Sequence, residues 1–544
     1  MTSRLLSRVF AFALAALAAL ALAPAQAYFV PRHQAAWPAL TNSSSYTPAC
    51  SRVMFPIATV AETTYVSFLT HTLCVSPNYS VNTIRILIAN FYVTQSGAQN
   101  PEMCPGNPVN VDFVTVFIAG VAYPVTFGGS LSIAVGNCGF VWSDPLVNSS
   151  GAVVTIPANA SYYVRVSKTV ASGGTQVANG EIAAANVLVG NPITGDAFGA
   201  YASPQTSLRT SGTVPATNGQ GQWPSPVAMV VGKGWDGSAV YALVGDSVGY
   251  GTYDSNFNAP YVSGAEMRAF ADSGSGLRNF LPLAFQGTKP DDQSSIASGQ
   301  YQLRMRALRS IGNVPFNQIF SEMGQNSPAI ANPPGLPAFQ TAMGQWWQFW
   351  RGACPACRIF QATFPAHAAA LNNTSFTTLA DQTSDYPNGV RWQADNWIKG
   401  LAGPALPSFV TGIDLTTAFT IGSGYTESPG DWPTTGGWSG TLAAALTGGA
   451  YTYSVSVNAA SAPAVGDNLV LEPGSSNSES FNIATVSGSS SPYTIGTVQH
   501  PANNHSAGAA VGTSLTFEGT HPAYPLYQAA ANALIALKNS GVLP

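Results

Sequence analysis

From about residue 236 to 414 the chain alternates short apolar runs with longer segments of helical character, and this alternation constrains its fold more than any other feature. The strand candidates are 240–244, 278–285, 317–323, 358–364 and 408–414. Between them lie helical patterns at 301–311, 336–354 and 376–401, after a Gly-rich loop that follows the first strand. Tyr301 to Ile311 carries Leu303, Ala307, Leu308 and Ile311 at helical spacing. Strands that alternate with helices predict an α/β region built on a parallel sheet. Sites in such sheets lie beyond the C-terminal strand ends.

The rest of the chain reads differently. Residues 28–232 carry β-rich runs, among them 63–69, 83–93, 111–118, 152–156 and 161–166, separated by Gly, Pro and Asn clusters. The pattern predicts an all-β, two-sheet sandwich of jelly-roll type, either binding carbohydrate or serving as a structural companion. Residues 438–517 return to strand-like runs and read as a small β module inserted ahead of the last helix. A substrate-recognition lid and a packing insert are both open for it. Tyr524 to Lys538 has a helical stripe of Leu526, Tyr527, Ala530, Leu534 and Leu537. The domains expected are therefore 28–232, 236–437, 438–517 and 518–544.

Charged residues are only 8% of the 544, and the formal net charge is −4. That excludes a phosphate-neutralising surface, so no nucleic-acid partner is expected. Arg4 and Arg8 precede an Ala/Leu run from Val9 to Ala23, and Pro24-Ala25-Gln26-Ala27 offers small residues at a cleavage point. Residues 1–27 thus read as a signal peptide, with the mature chain secreted or periplasmic and without a membrane span. Six cysteines suit export. Cys50, Cys74, Cys104 and Cys138 are expected to pair among themselves in one of three connectivities. Cys354 and Cys357 read as a small structural disulfide, since no second pair of ligands is spaced for zinc. No metal and no cofactor is expected.

The first apolar strand runs into Gly245-Asp246-Ser247. Such a turn lifts a serine hydroxyl out of a sheet end, as a nucleophile requires. Asp246 reads as a turn-stabilising residue. Glu518-Gly519-Thr520-His521-Pro522 stands ahead of the last helix. His521 suits a general base, and Glu518 can hold its other ring nitrogen. The amides of Ser247 and Gly287 and the side-chain amide of Asn326 can supply oxyanion donors. Asp414, at a strand end, is the runner-up acid. His33 and His71 are isolated, His367 reads as a loop residue, and His500 and His505 as surface residues of the insert. Trp346, Trp347 and Trp350, on a predicted helix, suit core packing better than an aromatic platform for sugar rings.

Gly245-Asp246-Ser247, Gly287, Gly324-Gln325-Asn326 and Glu518-Gly519-Thr520-His521-Pro522 together resemble the SGNH, or GDSL, family of esterases and lipases. The resemblance covers about 236–437 and 518–544. It implies a flavodoxin-like α/β/α fold with Ser247 as nucleophile, His521 as base and Ser247, Gly287 and Asn326 as the oxyanion hole. Two positions depart from the family pattern. Ser327 stands where Asp commonly follows Asn, and Glu518 stands where Asp is usual. The expected activity is a serine esterase acting on carboxylic esters, with O-acetyl groups on polysaccharide favoured by export, low charge and the neighbouring β domain. A lipase or acyltransferase on the same fold is the near alternative; a non-catalytic carbohydrate-binding or adhesion protein is the distant one.

Overall fold

A computed structural model describes residues 38–61, 66–94, 102–178, 197–214, 227–251, 254, 264–272, 279–291, 302–331, 335–365, 368–370, 382–384, 389–416, 418, 438–448, 452–483, 485–499, 503–516 and 522–544. The proposed signal segment, His33, His367, His500, Glu518 and His521 lie outside them.

Five parallel strands organise the α/β region: β1 (Val240–Gly245), β2 (Asn279–Ala284), β3 (Gln318–Ser321), β4 (Arg358–Ala362) and β5 (Val410–Ile413). Their order in the sheet is β2-β1-β3-β4-β5. This is the flavodoxin-like order of a doubly wound sheet, whose direction of growth reverses at β1. Among the described residues the helices include α1 (Ser247–Tyr250), α2 (Ala265–Ala271), α3 (Gln302–Arg309), α4 (Leu336–Ala353), α5 (Val390–Ile398) and α6 (Tyr524–Asn539), with a single turn at Pro328–Ala331 ahead of α4.

The alternation of side chains along β1 divides two cores. Val240, Ala242 and Val244 pack with Leu281, Leu283, Ile319 and Ile359 against α3, α4 and α5. Tyr241 and Leu243 pack with Phe280, Phe320 and Phe360 against α2 and α6. Every residue of β1 and β2 is buried. Two-sided burial explains why these strands read as continuous apolar runs. Trp346, Trp347 and Trp350 are among the largest fully buried side chains, so core packing is their role and no sugar platform exists there. The indole N–H groups of Trp346 and Trp347 donate to Ser321 Oγ and Gln361 Oε1, each at 3.1 Å.

Two larger antiparallel sheets, beside two-stranded ones at Ala58–Ala61/Thr175–Ala178 and Tyr92–Val93/Glu102–Met103, are described in the N-terminal part. One holds Thr47–Pro48, Met229–Lys233, Asn82–Ala89 and Phe140–Trp142 in that order; the other centres on Ser67–Val75, Ser161–Thr169 and Val109–Ile118. Strand Asn82–Ala89 is shared between two cores. Ile84, Ile86 and Ile88 face the core between the two sheets, with Val114, Val164 and Val166. Leu87 and Ala89 instead join Met229 and Val231 in the core that packs on the α/β sheet. Residues 152–156 form only the isolated bridges Val147↔Val153 and Val81↔Ile156. The disulfides are Cys50–Cys74, Cys104–Cys138 and Cys354–Cys357.

Between β5 and α6 stands a seven-stranded antiparallel sheet running from Ser439–Leu442 to Ala510–Ser514. His505, expected on the surface, is only 1% exposed. Its Nδ1 lies within hydrogen-bond distance of Glu472 Oε1, at 3.2 Å, and its Nε2 lies 3.6 Å from Glu479 Oε1, so two carboxylates flank a ring in the interior. The helix expected over 376–401 is shorter: α5 starts at Val390, and Gln382–Ser384 instead pairs antiparallel with Ala368–Ala370. The start at Val390 agrees with the sequence, where Pro387 and Gly389 are helix-breaking residue types. The Gly-rich loop after β1 conversely contains the helix α2. No helix among the described residues is long and apolar enough to cross a membrane.

Candidate active site

Ser247 stands at the C-terminal end of the central strand. β1 ends at Gly245, Asp246 caps α1, and Ser247 is its first residue. Asp246 Oδ1 accepts from the Val248 amide at 3.1 Å. The Tyr250 amide donates to the Asp246 carbonyl at 3.0 Å. Asp246 is therefore the turn-stabilising residue its position suggested.

The neighbouring strands bring two further loops to the same end. Gly245 pairs in register with Ala284, and the Phe285 amide donates to the Gly245 carbonyl at 3.1 Å. The chain then turns at Gly287, whose φ of +72° is the left-handed conformation that favours glycine. Thr288 closes this turn on the Phe285 carbonyl through its amide (3.2 Å) and its hydroxyl (2.8 Å). On the other flank, Val244 pairs with Ser321, and Gly324-Gln325-Asn326-Ser327 forms the loop beyond. Asn326 Nδ2 donates to the Thr288 carbonyl at 3.4 Å, joining the two flanking loops across the end of β1. Ser327, in the place where Asp is common, donates to Asp291 Oδ2 at 2.7 Å. The Asn326 loop is held from beneath. Gln361 Nε2 donates to the Met323 carbonyl at 3.1 Å, and Arg391 donates to Gln325 Oε1.

Glu518 and His521 lie outside the described residues, but the segments that bracket them do not. Thr516 and Pro522 form an antiparallel bridge, and the Ala523 amide donates to the Leu515 carbonyl at 2.7 Å. Leu515 and Leu526 share a core with Val248. At the far end of α6, the Pro544 carbonyl accepts from Tyr241 Oη at 2.8 Å, beside the start of β1. The helix thus runs antiparallel to β1 and begins at the Ser247 end of the sheet. Asp414 is engaged elsewhere: its Oδ1 accepts from the amide and hydroxyl of Thr416, and Lys399 Nζ lies 3.8 Å from Oδ2 at the surface.

Under the serine turn lies a group of buried carboxyls that the sequence did not single out. Glu322 Oε1 accepts from the amides of Asp246 (2.6 Å) and Gly249 (2.8 Å). Glu266 on α2 is buried nearby. Burial first, then the carboxyls of Asp246 and Glu266, push the Glu322 pKa well above the usual carboxylate range, against the smaller pull of the two amides. Burial, with a lesser contribution from Asp246, raises Glu266 to about 7. One signal in the sequence marks Glu322: it is the one charged residue of the strand candidate 317–323. Among the described residues no group of three or more His, Cys, Asp or Glu side chains is arranged to hold a metal ion.

No family model and no curated protein sequence matches this chain. Among solved structures, it is similar to a family 2 carbohydrate esterase with a carbohydrate-binding domain from Corynascus thermopiles (Myceliophthora fergusii), at 12% identity over 72% of this chain and 93% of that one, with a TM-score of 0.25. A family two carbohydrate esterase from Clostridium thermocellum, in complex with cellohexaose, matches at 12% identity over 70% and 92% of the two chains, TM-score 0.24. A salicylyl-acyltransferase from a tetracycline biosynthetic pathway matches at 12% identity over 72% and 88%, TM-score 0.23. TM-scores this low establish neither a shared fold nor a shared activity.

Proposed function

We propose that this chain is an exported serine esterase that cleaves short-acyl, chiefly O-acetyl, esters of carbohydrate. The observation that carries the reading is the position of Gly245-Asp246-Ser247 at the end of the central parallel strand, flanked by the Gly287 and Asn326 loops. Ligands of doubly wound sheets bind at this point, where the strand order reverses.

Ser247 Oγ attacks the ester carbonyl while His521 takes its proton as general base. Glu518 holds the second ring nitrogen of His521 and fixes its tautomer. The tetrahedral oxyanion accepts from the amides of Ser247 and Gly287 and from Asn326 Nδ2. Collapse expels the sugar alcohol, which receives the proton from His521. Water, deprotonated by His521, then attacks the acyl-Ser247 ester and releases the carboxylic acid. Export, a surface poor in charge and an adjacent antiparallel β region support a polysaccharide substrate over a charged one.

The reading is tested with p-nitrophenyl esters of rising chain length alongside acetylated xylan and other acetylated polysaccharides. Acetate release from polysaccharide and a rate that falls with acyl length are expected. A preference for long acyl chains moves the substrate class to lipid esters. Hydrolysis that survives His521→Ala removes the base assignment.

A further inference from the structure

The five-residue segment Gly245-Asp246-Ser247-Val248-Gly249 wraps around a single carboxyl oxygen. Glu322 Oε1 takes two of its amides, those of Asp246 at 2.6 Å and Gly249 at 2.8 Å, one on each side of Ser247. Both glycines border the carboxyl closely. A Cβ at Gly249 would sit 2.7 Å from Glu322 Oε1, and one at Gly245 would also collide with it. The Gly-x-x-x-Gly spacing of this turn is thus a seat for a side chain 73 residues away. Glu322 is itself tied to β1 through its amide, which donates to the Val244 carbonyl at 3.3 Å. Its Oε2 is buried, and it has no hydrogen-bond partner among the described residues. Arg268, on the neighbouring helix α2, pairs with Asp254, with contacts of 2.7 Å to each oxygen.

We infer that Glu322 is a positioning residue for the nucleophile. One oxygen of its carboxyl, seated between Gly245 and Gly249, sets the turn that aims the Ser247 hydroxyl and amide. The inference rests on the reading of Ser247 as the nucleophile. An acceptor at Oε1 is what the turn requires, and a negative charge is not. A neutral carboxylic acid or an amide carbonyl meets that need, whereas an apolar side chain leaves two buried amides without an acceptor. Because Glu322 sits beneath the turn and not in the substrate's path, its loss acts on the chemical step more than on substrate binding.

The test compares Glu322→Gln, Glu322→Met and Gly249→Ala in the full chain, reading kcat and KM on p-nitrophenyl acetate and the rate of fluorophosphonate labelling. Glu322→Gln is expected to keep kcat within about threefold of wild type, since the amide oxygen replaces Oε1. Glu322→Met is expected to lower kcat and labelling together by about 100-fold, with KM changed by less than about threefold. Gly249→Ala, which displaces Oε1 without removing it, is expected to lower kcat by at least about tenfold, again with KM held. If Glu322→Met does not fold, the other two variants decide. A Glu322→Gln variant as impaired as expected for Glu322→Met, or a Gly249→Ala variant with wild-type kcat, overturns the inference. Labelling that depends on Ser247 but is indifferent to Glu322→Met sinks the positioning role alone. Labelling that survives Ser247→Ala sinks the nucleophile assignment beneath it.

Discussion

Among the buried carboxylates of this molecule, those at two sites meet different surroundings. At the joint between the N-terminal antiparallel region and the α/β region, Glu102 is matched with a cation. Its Oε1 accepts from Arg304 Nε at 2.7 Å and from the Arg304 amide at 3.0 Å, and its other oxygen accepts from the Leu303 amide. Both side chains are nearly inaccessible, at 1% and 3% exposure, and the guanidinium also lies over the Phe285 ring. Under the serine turn, Glu322 has two backbone amides on one oxygen and two further carboxyls around it. At the first site burial raises the Glu102 pKa while the Arg304 guanidinium and the two amides pull it back, and the geometry serves to hold two regions together. A carboxyl placed at the second is driven toward its neutral form, and the geometry serves to shape a turn. The difference teaches that a buried acid is not one kind of feature; its neighbours decide whether it carries charge or only an oxygen in the right place.

Three substitutions separate these roles. The largest effect is expected from Glu102→Ala, which takes the carboxylate away from the buried Arg304 guanidinium and costs about 3–5 kcal/mol of stability. Chemical denaturation measures it, while kcat of the folded fraction stays near wild type. If the joint proves dispensable, with stability unchanged, the contrast with the serine turn fails. Asn326→Ala reverses the pattern. In the proposed oxyanion role, its removal is expected to lower kcat by about 10²-fold, or about 2.7 kcal/mol of transition-state stabilisation, with little change in the melting temperature. Steady-state kinetics with paired thermal melts check it.

The smallest effect concerns pH. Glu266 has a folded-state pKa of about 7 against an ordinary 4.5. The folded chain therefore holds this proton more tightly than the unfolded chain. That contribution to stability is complete below about pH 4.5 and is lost as pH rises through about 7. Glu266→Gln removes it, so the fall in melting temperature between pH 5 and pH 8 becomes smaller in the variant. An unchanged fall would show that Glu266 is charged at neutral pH and the serine turn is less apolar than its neighbours imply.

The α/β region was legible because its strands are buried on both faces. Continuous apolar runs such as Val240 to Val244 end abruptly in Gly or Asn loops, and those ends are where Ser247, Gly287 and Asn326 stand. The short helix Ala265–Ala271 was not legible, since seven residues inside a Gly-rich stretch give no period to read. Strand Ala510–Ser514 escaped for a related reason: it is short, and Ala510, Gly512 and Ser514 alternate with its two β-branched residues, Val511 and Thr513. His505 looked like a surface residue because its partners, Glu472 and Glu479, are distant in sequence and meet it only in the folded sheet. Glu322 was hidden in the same way. A glutamate at a strand end has no visible role until the glycines of a turn more than seventy residues earlier close around it. Periodicity speaks of elements, and long-range polar contacts are silent in it.

The most direct test of the account is covalent capture of the nucleophile. The full chain is treated with a fluorophosphonate, digested and mapped by mass spectrometry, beside Ser247→Ala. The account predicts one adduct, on Ser247, and none in the variant. An adduct on another residue, or equal labelling of the two proteins, contradicts it.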